Sequence, residues 1–187
     1  INALIGLQEG VVDTSDKFTC RMGYYYGNRR LTGCHHHQSP LAMNGGIAQS
    51  CNAYFVNVYR RIIDKYDDAG KGMNTWAEHA KSFGLGNYLN NDLSVGSKGR
   101  IPDGKYYDRA YGDNRWSSTY IVSNAIGQGE VETTPIQLAN MAAAIGNRGY
   151  YYTPHIIKNI EDVSKAPINI NSNSHLFHNV TFFQSSS

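Results

Sequence analysis

The apolar residues at the start of the chain have helical spacing, since Ile1, Leu4 and Ile5 lie on one face. Gly10 follows this stretch and predicts that the helix ends there. From residue 12 to residue 37 the helical spacing is lost, and glycine, asparagine and arginine surround three consecutive tyrosines. This composition predicts a loop or a short hairpin rather than another helix.

Two helices are predicted on either side of residues 50–52. Ser39 and Pro40 form a typical helix start, so the first of these helices is predicted from about residue 40 to residue 49. The second has an apolar face that repeats at helical spacing, formed by Phe55, Tyr59, Ile62 and Tyr66. Residues 50–52 are therefore predicted to lie at the junction between two helices.

The second half of the chain has one strongly marked helix and one weakly patterned region. A helix is predicted over residues 73–83, whereas residues 84–118, rich in Gly, Asn, Asp, Ser and Arg, are predicted to be a loop. Thr134 to Gln137 form a capping box with proline in the first turn, which predicts another helix. Strand is predicted at residues 150–152 and 156–157, after glycine stop signals.

Composition and charge narrow the class of protein. The 187 residues are 41% hydrophobic and 12% aromatic, which indicates a globular chain and excludes a disordered, collagen-like or coiled-coil protein. We expect one domain over residues 1–168, and we assign no fold to the Asn- and Ser-rich residues 169–187. The 17 basic and 15 acidic side chains give a net charge of +2, so no nucleic-acid partner is predicted.

Two smaller features also carry predictions. The arginine pairs Arg29-Arg30 and Arg60-Arg61 are interpreted as solvated surface charge rather than as contacts to an anionic precursor. The glycines of Gly127-Gln128-Gly129 are predicted to supply positive φ angles in a turn.

One polar triplet lies at the predicted junction. Ser50-Cys51-Asn52 is the only Ser-x-Asn sequence in the chain. A hydroxyl and a primary amide two residues apart can relay protons and hold a carbonyl oxygen, whereas the simpler interpretation is that Ser50 and Asn52 are plain capping and turn residues. The triplet alone leaves both interpretations open.

Three cysteines and a run of histidines crowd into the first third of the chain. The cysteines are Cys20, Cys34 and Cys51, and the run is His35–His37. Three thiolates and one imidazole, from Cys20, Cys34, His37 and Cys51, would complete a tetrahedral structural zinc site. Two alternatives stay open: a Cys20–Cys34 disulfide with Cys51 as a buried thiol, or surface histidines without a metal.

Three segments together resemble one protein family. Ser50 to Phe55 is similar to the second active-site motif of the class B penicillin-binding proteins. Ala125 to Ala139 is similar to that family's segment before its late helix, and Ala3 to Gly10 is similar to the helix that follows the family's nucleophile. The segments occur in family order over residues 1–168, and the resemblance is to the elongation-type branch.

The resemblance implies an α+β fold and an acyl-transfer reaction. The expected fold is the penicillin-binding, serine β-lactamase-like transpeptidase fold, of which this chain holds chiefly the helical subdomain. The implied enzyme is a D,D-transpeptidase that cross-links peptidoglycan stem peptides through a serine acyl-enzyme and binds β-lactams. Ser50 would carry a proton between a lysine and the leaving amine, and Asn52 would hold the donor carbonyl. No organic cofactor is implied.

Two of the three motifs expected for this family are not in the chain. No serine is followed three positions later by lysine, and no lysine is followed by Thr-Gly or Ser-Gly. By the family's layout, the nucleophilic serine and its lysine are expected just before Ile1. This polypeptide alone is therefore expected to be inactive, whereas the intact parent is expected to be acylated by penicillins.

Two other classes remain as alternatives. The nearest enzyme is a hydrolase of the same fold, such as a carboxypeptidase or a β-lactam sensor. The alternative outside enzymes is a non-catalytic, zinc-stabilised module that docks on cell-elongation proteins.

The resemblance also bears on the metal. Some elongation-type relatives hold zinc beside this triplet through its middle cysteine and an upstream histidine, which correspond here to Cys51 and to His37 or His35. Cys20 and Cys34 would then stand where those relatives can use other ligands. A metal here would hold the predicted loop of residues 12–37, which has few apolar residues, against the junction that contains Ser50 and Asn52.

The location of the protein is predicted from the apolar runs of the chain, from its first residues and from the resemblance. The apolar run from Met141 to Ile145 is far shorter than the roughly 20 residues that a bilayer crossing takes. The chain opens at Ile1 without a signal-peptide pattern, so a targeting or anchoring segment is expected outside it. The family implies the periplasmic face of the bacterial inner membrane, with stem peptides and cell-elongation proteins as partners.

Overall fold

The computed structural model describes residues 1–92, 96–155 and 177–180. The chain forms two compact units, one of Ile1–Glu78 with Pro102–Val131 and one of His79–Ile101 with Glu132–Ser187. In chain order the elements are α1 Asn2–Gln8, β1 Gly23–Tyr26, β2 Arg29–Gly33, α2 Met43–Ala48, α3 Asn52–Asp64, α4 Ala69–Ser82, α5 Gly104–Tyr111, α6 Pro135–Gly146, β3 Tyr150–Tyr152 and β4 Phe177–Asn179. Helices dominate this part of the chain, as predicted for a helix-rich α+β fold.

Helix α3 forms the core of the first unit. Its residues Val56, Tyr59 and Ile62 are fully buried, and α1, α2 and the β1–β2 hairpin pack against it. Burial of each such side chain contributes about 1.5–3 kcal/mol to folding. The predicted apolar face is therefore confirmed at its centre, whereas Phe55 and Tyr66 are only half-buried.

Strands β1 and β2 form an antiparallel hairpin inside the region predicted to be a loop or hairpin. Gly23 pairs with Gly33 at one end, and Tyr26 pairs with Arg29 at the turn. The hairpin covers Arg60 of α3, whose side chain is only 19% exposed. The interpretation of Arg60 as solvated charge is therefore wrong, because hairpin tyrosines lie over its guanidinium group.

Helix α2 begins later than the sequence predicts. It starts at Met43 rather than near residue 40. The reason is that Leu41 pairs with Phe18 through both backbone groups, at 3.0 and 3.1 Å, which keeps this part of the chain extended. Ser39 does not cap the helix, since its hydroxyl accepts the backbone N–H of Cys20 at 2.8 Å.

Helix α5 was not predicted, because residues 84–118 were expected to form a loop. It runs from Gly104 to Tyr111 and begins at Asp103, whose carboxylate accepts the N–H of Tyr106 at 2.8 Å. Tyr107 is 1% exposed and anchors the helix in the core. The aspartate after Pro102 is the capping signal that could have located this helix.

A buried polar network lies behind the Gly127-Gln128-Gly129 turn. The side-chain amide of Asn124 donates to the hydroxyl of Tyr107 at 2.6 Å and to that of Tyr59 at 3.2 Å.

Gly127 and Gly129 have φ angles of +71° and +73°, which confirms the predicted role of these glycines.

In the second unit, α6 begins with the predicted capping box. The backbone N–H of Thr134 donates to Gln137 Oε1 at 2.9 Å, and the Gln137 N–H donates to Thr134 Oγ1 at 3.4 Å. Gln137 is fully buried and also donates to the carbonyls of Asn87 and Lys98, at 2.8 and 2.9 Å. Gln137 thus caps α6 and also holds the loop that contains Asn87 and Lys98.

Strand β3 confirms the strand predicted at residues 150–152, and it pairs antiparallel with β4. Strand β4 lies within residues 169–187, to which the sequence pattern assigned no fold. The strand predicted at residues 156–157 lies outside the described residues. Among the helices of the described ranges, none combines the length and apolarity that a bilayer crossing requires.

Candidate functional site

Ser50 lies in the tight turn that ends α2. The N–H of Cys51 donates to the Gly46 carbonyl at 3.0 Å, and the N–H of Ser50 donates to the Ile47 carbonyl at 3.0 Å. This is the Schellman pattern, in which Ser50 takes the left-handed position with a φ of +47°. Glycine is the usual residue there, because a side chain costs about 1–2 kcal/mol in this conformation. The fold therefore holds a serine where local geometry favours glycine.

The side chains of Ser50 and Asn52 do not act as helix caps. The N-cap of α3 is Cys51, whose sulfur accepts the N–H of Tyr54 at 3.3 Å. The Ser50 side chain is exposed and makes no hydrogen bond with the described residues. Neither side chain is therefore a cap, although Ser50 is a turn residue as the simpler interpretation predicts, and its hydroxyl is open to a ligand.

Asn52 is oriented by the end of the hairpin. Its Nδ2 donates to the backbone carbonyl of Gly33 at 2.8 Å. The second N–H and Oδ1 of the amide have no partner among the described residues. Sequence reasoning missed Gly33, since a backbone carbonyl carries no residue-type signal. The hairpin thus fixes the amide plane while leaving part of its hydrogen-bonding capacity free.

The four predicted metal ligands lie together beside this turn. The Sγ atoms of Cys20, Cys34 and Cys51 and a ring nitrogen of His37 all lie within 4.8 Å of one another. Ligand atoms about 2.0–2.3 Å from a tetrahedral zinc ion fall within such a separation. The residues present therefore fit a structural zinc ion, although they come from three separate stretches of the chain.

The hydrogen bonds of His37 suit a metal ligand. Its Nδ1 lies 2.7 Å from the carbonyl of Gln38, which can only accept, so Nδ1 carries the proton. Its Nε2 lies 3.4 Å from Cys34 Sγ and faces the cluster. Donation of the distal ring N–H to a carbonyl is the outer support that ligating histidines usually have.

The thiols of the cluster differ in acidity. Burial raises the pKa of Cys34, but its hydrogen bonds with His37 and with the backbone N–H of Asn52 outweigh this effect and bring the pKa down to about 7. Burial raises the pKa of Cys51 to about 12. The pKa of His37 is raised, first by its hydrogen bond to Gln38 and then by that with Cys34. Cys34 is thus converted to a ligating thiolate more easily than Cys51.

The structure can be compared with the two alternatives to a metal site, a disulfide and surface histidines. All three cysteines are free thiols in the structure, so the alternative Cys20–Cys34 disulfide is not formed there. His35 and His36 are exposed, whereas His37 is half-buried in the cluster. The histidine run therefore divides into two surface residues and one residue placed for ligation.

Comparison with known proteins places the chain in a family. The family described as the penicillin binding protein transpeptidase domain matches residues 1–181. The chain therefore belongs to the penicillin-binding protein transpeptidase domain family, and the resemblance to the class B members is confirmed.

Individual relatives agree with this assignment. A peptidoglycan D,D-transpeptidase MrdA of Acinetobacter baumannii is 28% identical over 167 residues, which cover 84% of this chain and 22% of that protein. The solved structure of Pseudomonas aeruginosa PBP2 in complex with WCK 5153 has a TM-score of 0.73 at 22% identity, covering 96% of this chain and 37% of the other. PBP2 of Helicobacter pylori in complex with MreC has a TM-score of 0.63 at 18% identity. The match covers 85% of this chain and 29% of the other. The chain spans about a fifth of the length of the curated relative.

Proposed function

We propose that this chain is part of a peptidoglycan D,D-transpeptidase that cross-links stem peptides through a serine acyl-enzyme and binds penicillins. Membership of the transpeptidase family and similarity to proteins named peptidoglycan D,D-transpeptidase support the activity. The nucleophilic serine, its lysine and the Lys-Thr-Gly motif come from segments that this chain does not contain. This chain contributes Ser50 and Asn52.

The observation that carries the proposal is the serine at a glycine position. A left-handed serine costs stability, and this one has an exposed hydroxyl that makes no hydrogen bond with the described residues. A hydroxyl can accept a proton from a lysine while donating its own to a departing amine. Such a relay gives a physical reason for retaining serine at this turn.

The roles in the reaction follow from these groups. The nucleophilic serine attacks the carbonyl carbon of the donor peptide, and its proton passes to the lysine amine. The peptide C–N bond breaks, and the Ser50 hydroxyl passes a proton to the leaving amine. The free N–H of Asn52 donates to an acceptor group of the bound peptide. The acceptor amine then attacks the ester carbonyl, the C–O bond breaks, and the amine proton passes to the oxygen of the nucleophilic serine, which completes the cross-link.

Acylation by a labelled penicillin tests the proposal. In the protein that joins this chain to its Ser-x-x-Lys segment, Ser50→Ala and Asn52→Ala should each lower the acylation rate constant by about a hundredfold or more. The matched control is Gln49→Ala, at an exposed neighbouring position. Wild-type acylation rates in Ser50→Ala, or stoichiometric labelling of the 187-residue chain by itself, would contradict the assignment.

We also propose that Cys20, Cys34, His37 and Cys51 bind one structural zinc ion. The grouping of their ligand atoms and the hydrogen bonds of His37 support this site. When bound, zinc would hold three segments together beside Ser50 and Asn52. It would take no part in the chemistry, because four protein ligands leave no open position. The alternative of a purely structural, zinc-stabilised docking module would be favoured if the Ser50 and Asn52 variants had normal acylation.

Location and partners form part of the same proposal. The protein would act at the periplasmic face of the bacterial inner membrane, anchored by a segment outside this chain. Proteins of the cell-elongation machinery are proposed as partners, which agrees with the complex of the structurally similar H. pylori PBP2 with MreC.

A further inference from the structure

Three tyrosines of the first unit expose large parts of their rings. Tyr26 in β1 is 55% exposed, Tyr111 at the end of α5 is 41% exposed, and Tyr120 in the short helix Ser118–Tyr120 is 60% exposed. We call Tyr26, Tyr111 and Tyr120 the tyrosine ledge. Single exposed aromatic residues need no explanation, whereas several held on one surface indicate a binding site.

Two rings of the ledge are held in fixed orientations. The ring centres of Tyr111 and Tyr120 lie 5.4 Å apart in an edge-to-face contact. Tyr111 also stacks on the buried Tyr107, with centres 6.3 Å apart and ring planes 14° apart. Because these rings are already ordered, a ligand that stacks on them loses little conformational freedom of the protein.

Arg60 joins Tyr26 to the other end of the ledge. Its guanidinium carbon lies 4.9 Å from the centre of the Tyr26 ring, and its Nε donates to Ser118 Oγ at 2.8 Å, two residues before Tyr120. Its Nη2 lies 3.0 Å from a carboxylate oxygen of Asp64. The cation at the centre of the ledge is therefore ion-paired, whereas the exposed Arg29 lies opposite Tyr26 in the hairpin.

We infer that the tyrosine ledge binds the glycan strand to which the stem peptides are attached. The apolar C–H face of a sugar ring packs on an exposed aromatic ring, while sugar and phenol hydroxyls stay hydrated or bond to each other. The exposed rings of Tyr26, Tyr111 and Tyr120 have this chemistry. The inference rests on the proposed function for the identity of the glycan, but its chemistry does not depend on the nucleophile.

The position of the ledge fits a substrate that spans both sites. Tyr26 and Gly33 mark opposite ends of the hairpin, and Tyr26 lies three positions along β1 from Gly23, the partner of Gly33. At about 3.3 Å per residue this separation is about 10 Å. Asn52 donates to Gly33 at its end of the hairpin. Three or four extended peptide residues span about 10–14 Å, so a glycan on the ledge would let its peptide reach Asn52.

Sedimentation with insoluble glycan strands, freed of their stem peptides, tests the inference on the 187-residue chain. The wild-type chain should bind, and soluble chitohexaose should compete. Tyr26→Ala and Tyr120→Ala should each weaken binding about tenfold, and Tyr120→Phe should retain it because the ring is kept. The matched controls are Tyr25→Ala, on the opposite face of β1 and 42% exposed, and Tyr88→Ala, 62% exposed in the second unit.

Three outcomes would overturn the inference. They are absence of wild-type binding to the stripped strands, equal loss of binding in the Tyr25 and Tyr88 controls, and binding of single-stranded nucleic acid that the ledge variants abolish. Circular dichroism of each variant distinguishes lost binding from lost folding. Because the assay needs no acylation, its failure is separate from failure of the Ser50 and Asn52 experiment.

Discussion

At the residue scale, Ser50 has a backbone angle that its residue type does not favour. Its φ of +47° is the value that a Schellman turn assigns to glycine. Replacement by glycine would relieve the steric cost of the side chain but would also remove the hydroxyl. Stability of the turn therefore favours glycine at this position, whereas the proposed proton relay requires serine.

Two substitutions of Ser50 separate the effect of backbone strain from the effect of losing the hydroxyl. Ser50→Gly and Ser50→Ala both remove the hydroxyl, but only Ser50→Ala keeps a Cβ in the left-handed conformation. We expect Ser50→Gly to be more stable than Ser50→Ala by about 1 kcal/mol in urea unfolding, with the same loss of acylation. Equal stabilities would show that the turn is not strained by a side chain.

Single residues were partly predictable. The sequence suggested Ser50 and Asn52 as candidate site residues because their functional groups are encoded by residue type, and this stays a prediction. It did not identify Gly33, because the group that orients Asn52 is a backbone carbonyl which every residue has. It also could not show the strain at Ser50, since a backbone angle depends on the helices at either side.

At the element scale, the contact between α2 and α3 places the turn that holds Ser50. A Cβ built on Gly46 of α2 would come within 2.5–2.9 Å of the Tyr54 ring in α3. Tyr54 is fully buried and lies in edge-to-face contact with Phe18, at 5.2 Å between ring centres. The ring has no room to withdraw, so the close approach of the two helices requires glycine at position 46.

Gly46→Ala tests this contact. The added methyl group should destabilise the protein by about 1–3 kcal/mol through overpacking, despite the better helix propensity of alanine. Gly45→Ala in the same helix is the matched control, because its Cβ meets the far end of the aliphatic Leu41 side chain, at 2.9 Å, rather than a ring. Thermal unfolding of both variants provides the measurement, and an equal change in the two would argue against the Gly46–Tyr54 contact.

Elements with local caps were predicted better than those set by long-range contacts. The capping box of α6 is complete within four residues of sequence and was found. The start of α2 was misplaced because Leu41 pairs with Phe18, 23 residues earlier, as the backbone bridge between them shows. Strand β4 was missed because a three-residue strand depends on its partner β3 rather than on its own pattern.

At the scale of the whole molecule, the metal cluster depends on chain topology. Its ligands come from the segment before β1, the segment after β2 and the start of α3. A zinc ion would cross-link these segments and stabilise the folded state, because the unfolded chain does not hold the four ligands together.

Removal of the metal should therefore weaken the fold. The purified chain should contain one zinc ion, and chelation should lower its stability by about 3 kcal/mol or more, a fall in Tm of about 6–12 °C. His37→Ala should lose the metal, whereas the exposed neighbour His36→Ala should keep it. Elemental analysis and thermal unfolding measure these effects, and zinc retention in His37→Ala would exclude the proposed ligand set.

The sequence by itself determined what depends on residue type and on neighbours a few positions away: the helix α6, the apolar face of α3, the Ser-x-Asn triplet and the inventory of possible metal ligands. Only the tertiary structure decided which of these groups meet. Packing on α3 brings Cys20, Cys34, His37 and Cys51 together, directs Asn52 to the Gly33 carbonyl and places Arg60 beneath the hairpin. The physical reason is that helix caps and periodicity act within a few residues, whereas these contacts join residues up to 36 positions apart, as in the hydrogen bond between Arg60 and Tyr24.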